Sequence, residues 1–490
     1  MAENKIDIAM QASWDAFNEY KLLPLQIRAN LLRTIANEIE NLGDTLIQTC
    51  MEETNLTEPR LRGEKARTIF QLNSYADACE KGNWLEARIE KADPKRIPAK
   101  VDVRKMLVPL GPVVVFGASN FPFAYSTAGG DTASAFAAGC SVVVRAHFAH
   151  KKTSALMACA IATAVEKCNL PTALFTHITG DGNTVGASLV EHPHTKAVGF
   201  TGSYNGGKAI WQLANSRPTP IPVFAEMSSI NPVYLFSEKL NNDAEALAKM
   251  LAGSITLGAG QFCTNPGIII GIESEGLQKF TATLDAEIKN IAPANMLHNG
   301  IANNFREKRN EVLKQADVFL LAETNAENNE AKDIPTIATV SANSFLQNPI
   351  LKEEVFGSFS LIVICENAVE LKNVALTMEG QLTSTLMATE NDVKENEVLI
   401  ETIKNNCGRI IFNNVPTGVE VCEAMQHGGP WPSTTDSRFT SVGADAIKRF
   451  ARPISFQNYP NEFLPNELKN ENPLNLWRTI NNELTKEKIN

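Results

Sequence analysis

The apolar positions of this chain change period along its length, and those changes mark out its elements. Over residues 5–80 they recur at three- and four-residue spacing, as in IRANLLRTIANEIENLGDTLIQ, which predicts helices interrupted at Gly43. A second helical stretch, LRGEKARTIFQLNSYADAC, follows. Residues 86–108 alternate around Pro94 and Pro98, the pattern of two exposed strands closing a hairpin arm. From Pro112 short apolar runs take turns with alanine-rich segments. VVVF (113–116), SVVVR (141–145), ALFTHIT (173–179) and KAVGFTG (196–202) read as strands. Residues 127–139, stopped by Gly139, and 153–168 read as helices. This alternation predicts an α/β fold whose parallel sheet is covered by helices. A less regular second unit spans 227–426, with strands at 231–236, 267–272, 360–365 and 409–414 and a helix at 243–259. The Asn- and Glu-rich end, 466–490, reads as an exposed tail.

Composition narrows the function classes. A chain of 490 residues, 44% hydrophobic, suggests two or three domains with sizeable cores. A net charge of −10 argues against a nucleic-acid partner, which needs a basic face. The start, MAENKIDIAMQASWDAF, lacks a basic region followed by an apolar core, and no apolar run approaches the ~18 residues of a membrane span. A cytoplasmic protein without a membrane partner is expected. The nine cysteines are scattered with no CxxC pair, so neither a disulfide framework nor a zinc site is expected. The histidine pairs His192/His194 and His147/His150 have no cysteine or carboxylate at ligand spacing, so no metal is expected.

Several glycine turns follow strands. GSYNGGKA (202–209) has P-loop spacing, but Ala209 stands where the magnesium-binding hydroxyl belongs, which disfavours a P-loop nucleotide-binding protein. GDGNTVG (180–186) misses the dinucleotide fingerprint by one residue and reads as a turn. GASNFPF (117–123) places Asn120 just past a buried strand, at the sheet end where α/β folds bind ligands. GAGQFCTNPG (258–267) places Cys263 among glycines. By itself Cys263 is either a buried small hydrophobe or a reactive thiolate.

Taken together, GPVVVFGASNFPF (111–123), VVVRAH (142–147), GFTGS (199–203), AEMSSINP (225–232), GQFCTNPG (260–267) and EEVFG (353–357) resemble the aldehyde dehydrogenase superfamily in order and approximate spacing. The segments 145–150 and 408–443 are similar to its α-ketoglutaric semialdehyde (2,5-dioxovalerate) dehydrogenase branch; fatty aldehyde dehydrogenases share much of the pattern. The resemblance implies two Rossmann-related domains and a small β arm. The dinucleotide-binding domain would comprise 1–85 and 109–226, and the catalytic domain 227–426. Residues 427–449 would return onto the cofactor domain, and 86–108 with 450–465 would form the strands of a homodimer or homotetramer.

It also implies a reaction: oxidation of an aldehyde to a carboxylate with NADP or NAD, through a thiohemiacetal and a thioester. An aldehyde does not readily lose hydride until a nucleophile has added, and cysteine suits that step. Cys263 matches the nucleophile, Glu226 the general base, and Asn120 an oxyanion donor beside the Cys263 N–H. An apolar setting at 223–225 would raise the Glu226 pKa. Gly202 and Ser203 match the pyrophosphate turn, and Glu354 and Phe356 the residues that hold the nicotinamide ribose. Arg145 and His147 lie near the adenosine ribose, and Phe148 replaces the glutamate of many NAD-selective relatives, which favours NADP. The usual E-L-G-G-K reads Glu226-Met227-Ser228-Ser229-Ile230 here, which crowds the base. Phe121, Phe123 and Phe262 line a substrate tunnel or belong to the core. Arg438 holds a distal carboxylate of the substrate or an inter-domain salt bridge.

Overall fold

The computed structural model describes residues 2–324 and 332–489. The helical periodicity of the first segment is realised as helices Ala2–Tyr20, Leu25–Asn41, Gly43–Thr54 and Glu58–Lys81. Gly43 has φ +53, so the chain bends there at little steric cost. The hairpin arm follows as β1 (Arg88–Glu90) and β2 (Val103–Pro109), paired antiparallel.

Five strands then form the first parallel sheet: β3 (Val113–Phe116), β4 (Val142–Arg145), β5 (Phe175–Ile178), β6 (Ala197–Thr201) and β7 (Val223–Glu226). Their order is β5-β4-β3-β6-β7, with helices Gly130–Ala138, Lys151–Lys167 and Tyr204–Ser216 among the crossovers. Register aligns the ends of these strands: Phe116 pairs with Arg145 and Phe200, and Thr201 with Glu226. The loops carrying Asn120, Gly202 and Ser203, together with Arg145 and Glu226, therefore share the carboxyl edge of one sheet, where α/β folds bind ligands.

The second sheet contains β8 (Val233–Leu235), β9 (Ile268–Ile272), β10 (Phe319–Glu323), β11 (Thr336–Ser341), β12 (Phe359–Cys365), β13 (Gln381–Met387) and β14 (Cys407–Phe412). Its order is β10-β11-β12-β9-β8-β13-β14, parallel except for the β10–β11 pair. Strands β9 and β12 start side by side, with Ile268 opposite Leu361. The segments leading into them carry Cys263 and Glu354.

The last strands are β15 (Ala451–Gln457), β16 (Arg478–Ile480) and β17 (Glu483–Thr485). They complete a sheet ordered β15-β2-β1-β16-β17. The expected exposed tail at 466–490 is thus corrected. β16 pairs with β1, and Leu468, Leu476 and Arg478 are buried. Arg478 donates to the carbonyls of Lys469 (2.5 Å) and Glu487 (3.1 Å), so side-chain bonds replace the helical or alternating pattern that would have marked the segment as folded. None of the described helices is long and apolar enough to cross a membrane.

Leu468 lies in the same core as the helices of residues 25–81. Leu468→Ala is expected to cost about 2–5 kcal/mol, read as a lower denaturation midpoint; an unchanged midpoint would mean that the terminus does not support the fold.

Candidate active site

The nucleophile segment is shaped by backbone constraints. Gly258, Ala259 and Gly260 have consecutive φ values of +56, +57 and +64. Gly260 must be glycine, because a Cβ there would fall 2.2 Å from the carbonyl carbon of Gly357. That contact joins the segment before β9 to the EEVFG segment before β12. Asn265 Nδ2 donates to Gly357 O at 3.0 Å, and Asn231 Nδ2 donates to the carbonyls of Cys263 (2.9 Å) and Asn265 (3.0 Å). The turn is clamped on both sides, and Cys263 is left partly exposed at its apex.

Glu226 ends β7 and is buried. The return segment runs beside it: Met227 N donates to Ser433 O at 2.8 Å, and Thr435 N to Ala225 O at 3.1 Å. This pairing brings in two residues that the sequence reading did not single out, His427 and Ser441. His427 Nε2 lies 3.6 Å from Cys263 Sγ and 3.2 Å from Glu226 Oε1. Ser441 Oγ donates to Glu226 Oε2 at 3.2 Å. One ligand atom each from Glu226, Cys263 and His427 falls within 4.8 Å of the other two.

The electrostatics differ from expectation at Glu226. Burial pushes its pKa up, but His427, Cys263 and Ser441 together hold it below the usual carboxylate range. The expected upward shift is therefore corrected: polar contacts win over the apolar Val223-Phe224-Ala225 setting. Burial first, and then the Glu226 charge, push the Cys263 thiol well above its ordinary value. The resting pair is a thiol beside a carboxylate.

Asn120 lies across the junction, its loop held by Glu64. Glu64 Oε1 accepts the N–H groups of Phe123 and Ala124 at 2.8 and 2.9 Å. Asn120 Nδ2 donates to Gln261 O at 3.2 Å, two residues from the nucleophile, and an amide has a second N–H to offer. Phe121 and Phe262 meet edge to face at 5.5 Å and flank this gap. Phe123 does not join them, because its side chain is fully buried in the core.

Against the Phe121–Phe262 pair lies a residue the sequence reading passed over. The Arg60 guanidinium lies 4.7 and 4.6 Å from their centroids, and its Nη2 donates to Asn120 O at 2.7 Å. Its Nε and Nη1 are buried without hydrogen-bond partners. Arg438, by contrast, has a side chain 79% exposed and bonds its own neighbour Asp436. It spans no inter-domain bridge and lines no tunnel. Signals for Arg60 and His427 existed only as single residues far from Cys263 in sequence.

The residues expected to hold a dinucleotide surround the edge of the first sheet. Ser203 caps the helix Tyr204–Ser216, and Gly202 has no room for a side chain, since a Cβ would meet Phe200 at 2.8 Å. A helix start with a bare backbone fits a pyrophosphate. Lys208, the would-be P-loop lysine, lies over the Tyr204 ring instead. Arg145 donates twice to Gly180 O, at 3.2 and 2.9 Å, which sets the 180–186 turn beside it. His147 stacks on His150 and accepts from Ala149 N. Burial and the neighbouring His150, Arg145 and His298 push its pKa down to about 3. The ring is neutral at physiological pH, so His147 adds no positive charge for a phosphate; that part of the sequence argument is corrected. Burial raises Glu354 to about 7, against hydrogen bonds from Ser228 and the Ser229 backbone. The two serines that replace the usual glycines therefore have partners. Ser229 Oγ also donates to Asn231 Oδ1 at 2.9 Å and Gln381 Oε1 at 3.0 Å, tying the base segment to β13. Phe356 lines the same cavity as Glu354.

Comparison with known proteins shows the family and the fold. The chain is 45% identical to α-ketoglutaric semialdehyde dehydrogenase 2 of Azospirillum brasilense, covering 97% of this chain and 91% of that protein. It is 43% identical to an α-ketoglutaric semialdehyde dehydrogenase of Acinetobacter baylyi, covering 98% and 92%. The fold superposes on the glyceraldehyde-3-phosphate dehydrogenase GapN of Methanocaldococcus jannaschii, solved with NADP, with a TM-score of 0.77 at 20% identity, covering 93% and 94%. The model of the aldehyde dehydrogenase family matches residues 1–453, and with relatives this similar over nearly its whole length the chain belongs to that family, as an NAD(P)-dependent enzyme.

Proposed function

We propose that the protein oxidises α-ketoglutaric semialdehyde to 2-oxoglutarate, with NADP as the preferred acceptor and Cys263 as the nucleophile. The observation that carries the chemistry is the contact of Cys263, His427 and Glu226. The substrate class is supported by the semialdehyde dehydrogenases it resembles and by the two buried N–H groups of Arg60, at Nε and Nη1, that have no hydrogen-bond partner. A long alkyl chain would leave those two donors unsatisfied, which is costly.

In this reading Sγ adds to the aldehyde carbon while the Glu226–His427 pair takes the thiol proton. The second Asn120 N–H and the Cys263 N–H hold the resulting alkoxide. The dinucleotide, when bound, supplies the hydride acceptor. Loss of hydride leaves a thioester on Cys263. The thiol proton passes to solvent. Glu226 then takes a proton from water as the water oxygen adds to the thioester carbon, and returns it to Sγ as the C–S bond breaks. The carboxylate departs. Because Glu226 is ionised well below neutrality, it can serve as base in both steps. Arg60 replaces Arg438 as the residue for the distal carboxylate. It packs beside the Phe121–Phe262 pair, and Nε and Nη1 are the atoms free to meet an anion.

Residues 88–90, 103–109 and 451–457 give the third sheet an edge strand, β15, with an unpaired side. We infer that two or more copies of the chain pair through this sheet, as family members commonly do.

Three measurements test the reading. Across an aldehyde panel, kcat/KM should be highest for the keto-semialdehyde, and Arg60→Met should lower its ratio to pentanal about 10- to 100-fold; a wild type that prefers pentanal would overturn the substrate. His427→Asn removes a contribution that lowers the Glu226 pKa, so the acidic limb of the kcat profile should move to higher pH; an unmoved limb would dismiss His427 as the cause. Wild-type kcat/KM should be higher with NADP than with NAD, and Phe148→Glu should reverse the order by repelling the 2′-phosphate.

A further inference from the structure

We propose that the Cys263–His427–Glu226 trio is also a reversible inhibitory site for Zn²⁺. A tetrahedral zinc with bonds of roughly 2.3 Å to sulfur and 2.0–2.2 Å to nitrogen and oxygen separates sulfur from nitrogen by about 3.6 Å and nitrogen from oxygen by about 3.3 Å. Here Sγ to Nε2 is 3.6 Å and Nε2 to Oε1 is 3.2 Å. The donors are thiol, imidazole and carboxylate, a set that zinc favours over magnesium or calcium.

Glu226 Oε1 is buried, with His427 Nε2 beside it at 3.2 Å and no hydrogen-bonding group outside the cluster. The other oxygen, Oε2, is occupied by Ser441, which would orient the carboxylate as an outer-shell partner does. The His427 and Glu226 side chains are only 1% and 4% exposed. A thiolate, a carboxylate and a neutral imidazole around Zn²⁺ carry no net charge, so the bound site suits its buried surroundings better than a free ion pair would. Entry is open on the Cys263 side, which is partly exposed. On binding, an S–Zn bond forms and the thiol proton leaves to solvent; no oxidant or reductant is involved. A fourth position remains for water. The nucleophile and the base are both taken, so turnover stops until the metal is removed. His427 Nδ1 has no partner, and a ligating imidazole without one binds metal roughly 10- to 100-fold more weakly. The site is therefore a removable brake rather than a structural centre.

The test uses the full-length, metal-stripped enzyme. Chelator-buffered Zn²⁺ should inhibit aldehyde oxidation at one metal per chain, and excess chelator should restore full activity. Co²⁺ in place of Zn²⁺ should give a thiolate-to-metal charge-transfer band, a readout that does not depend on turnover. His427→Asn and Glu226→Gln should each weaken metal binding at least tenfold in that titration, while Cys159→Ser, an exposed thiol outside the cluster, should leave it unchanged. Metal binding of unaltered strength in both cluster variants, or inhibition without the thiolate band, would overturn the proposal. Activity lost to zinc and not restored by chelation would overturn it as well.

Discussion

A buried carboxylate that stays ionised beside a partly exposed thiol is the constraint on which the rest of this site depends. Desolvation alone would neutralise Glu226. Three polar contacts, from His427, Ser441 and Cys263, outweigh that cost and keep the charge. Burial, and then the same charge, hold Cys263 in its thiol form. In the proposed mechanism the two are base and nucleophile, and the proton has a short path between them. An exposed cysteine with a lower pKa would be reactive towards any electrophile.

Holding that pair requires two sheets to meet in a particular way. The carboxyl edge of the first sheet presents Glu226, the Asn120 loop and the dinucleotide turns. The amino edge of the second presents Cys263 and Glu354. Neither sheet owns the site. The contact of Gly260 with Gly357 lets two backbone segments lie closer than side chains would allow. The return segment, bonded along the end of β7, carries His427 and Ser441 into the gap. Ser229, bonded to Gln381, fastens the base segment to the second sheet. The substituted serines thus stiffen the junction as well as crowding it.

Charge at the two ends of the site is arranged by burial. Arg60 is buried against two rings with Nε and Nη1 unbonded, whereas Arg438 is in water with its partner already bound. The buried guanidinium has far more to gain from a carboxylate than the exposed one. At the expected cofactor end, burial depresses His147, His150 and His298, with further lowering of His147 by its neighbours, which leaves Arg145 to carry the positive charge.

Much of this was legible in the chain itself. Local periodicity specified most helices and strands, because an element's apolar face repeats within a few residues. The motifs around Cys263, Glu226 and Asn120 carried the family, and with it the fold. Glycine at 260 could be read as a close approach, though not what it approached. The short strands β16 and β17 escaped notice because polar side chains and a buried arginine hold them, without alternation to announce them. His427 stands 164 residues from Cys263, and Arg60 stands 60 residues from Asn120; no pattern in the chain links them. Sequence alone determined which residue types were present and which segments would be helix or strand. Only the tertiary structure decided which distant charges and rings share a buried space, because desolvation and hydrogen bonding act across that space rather than along the chain.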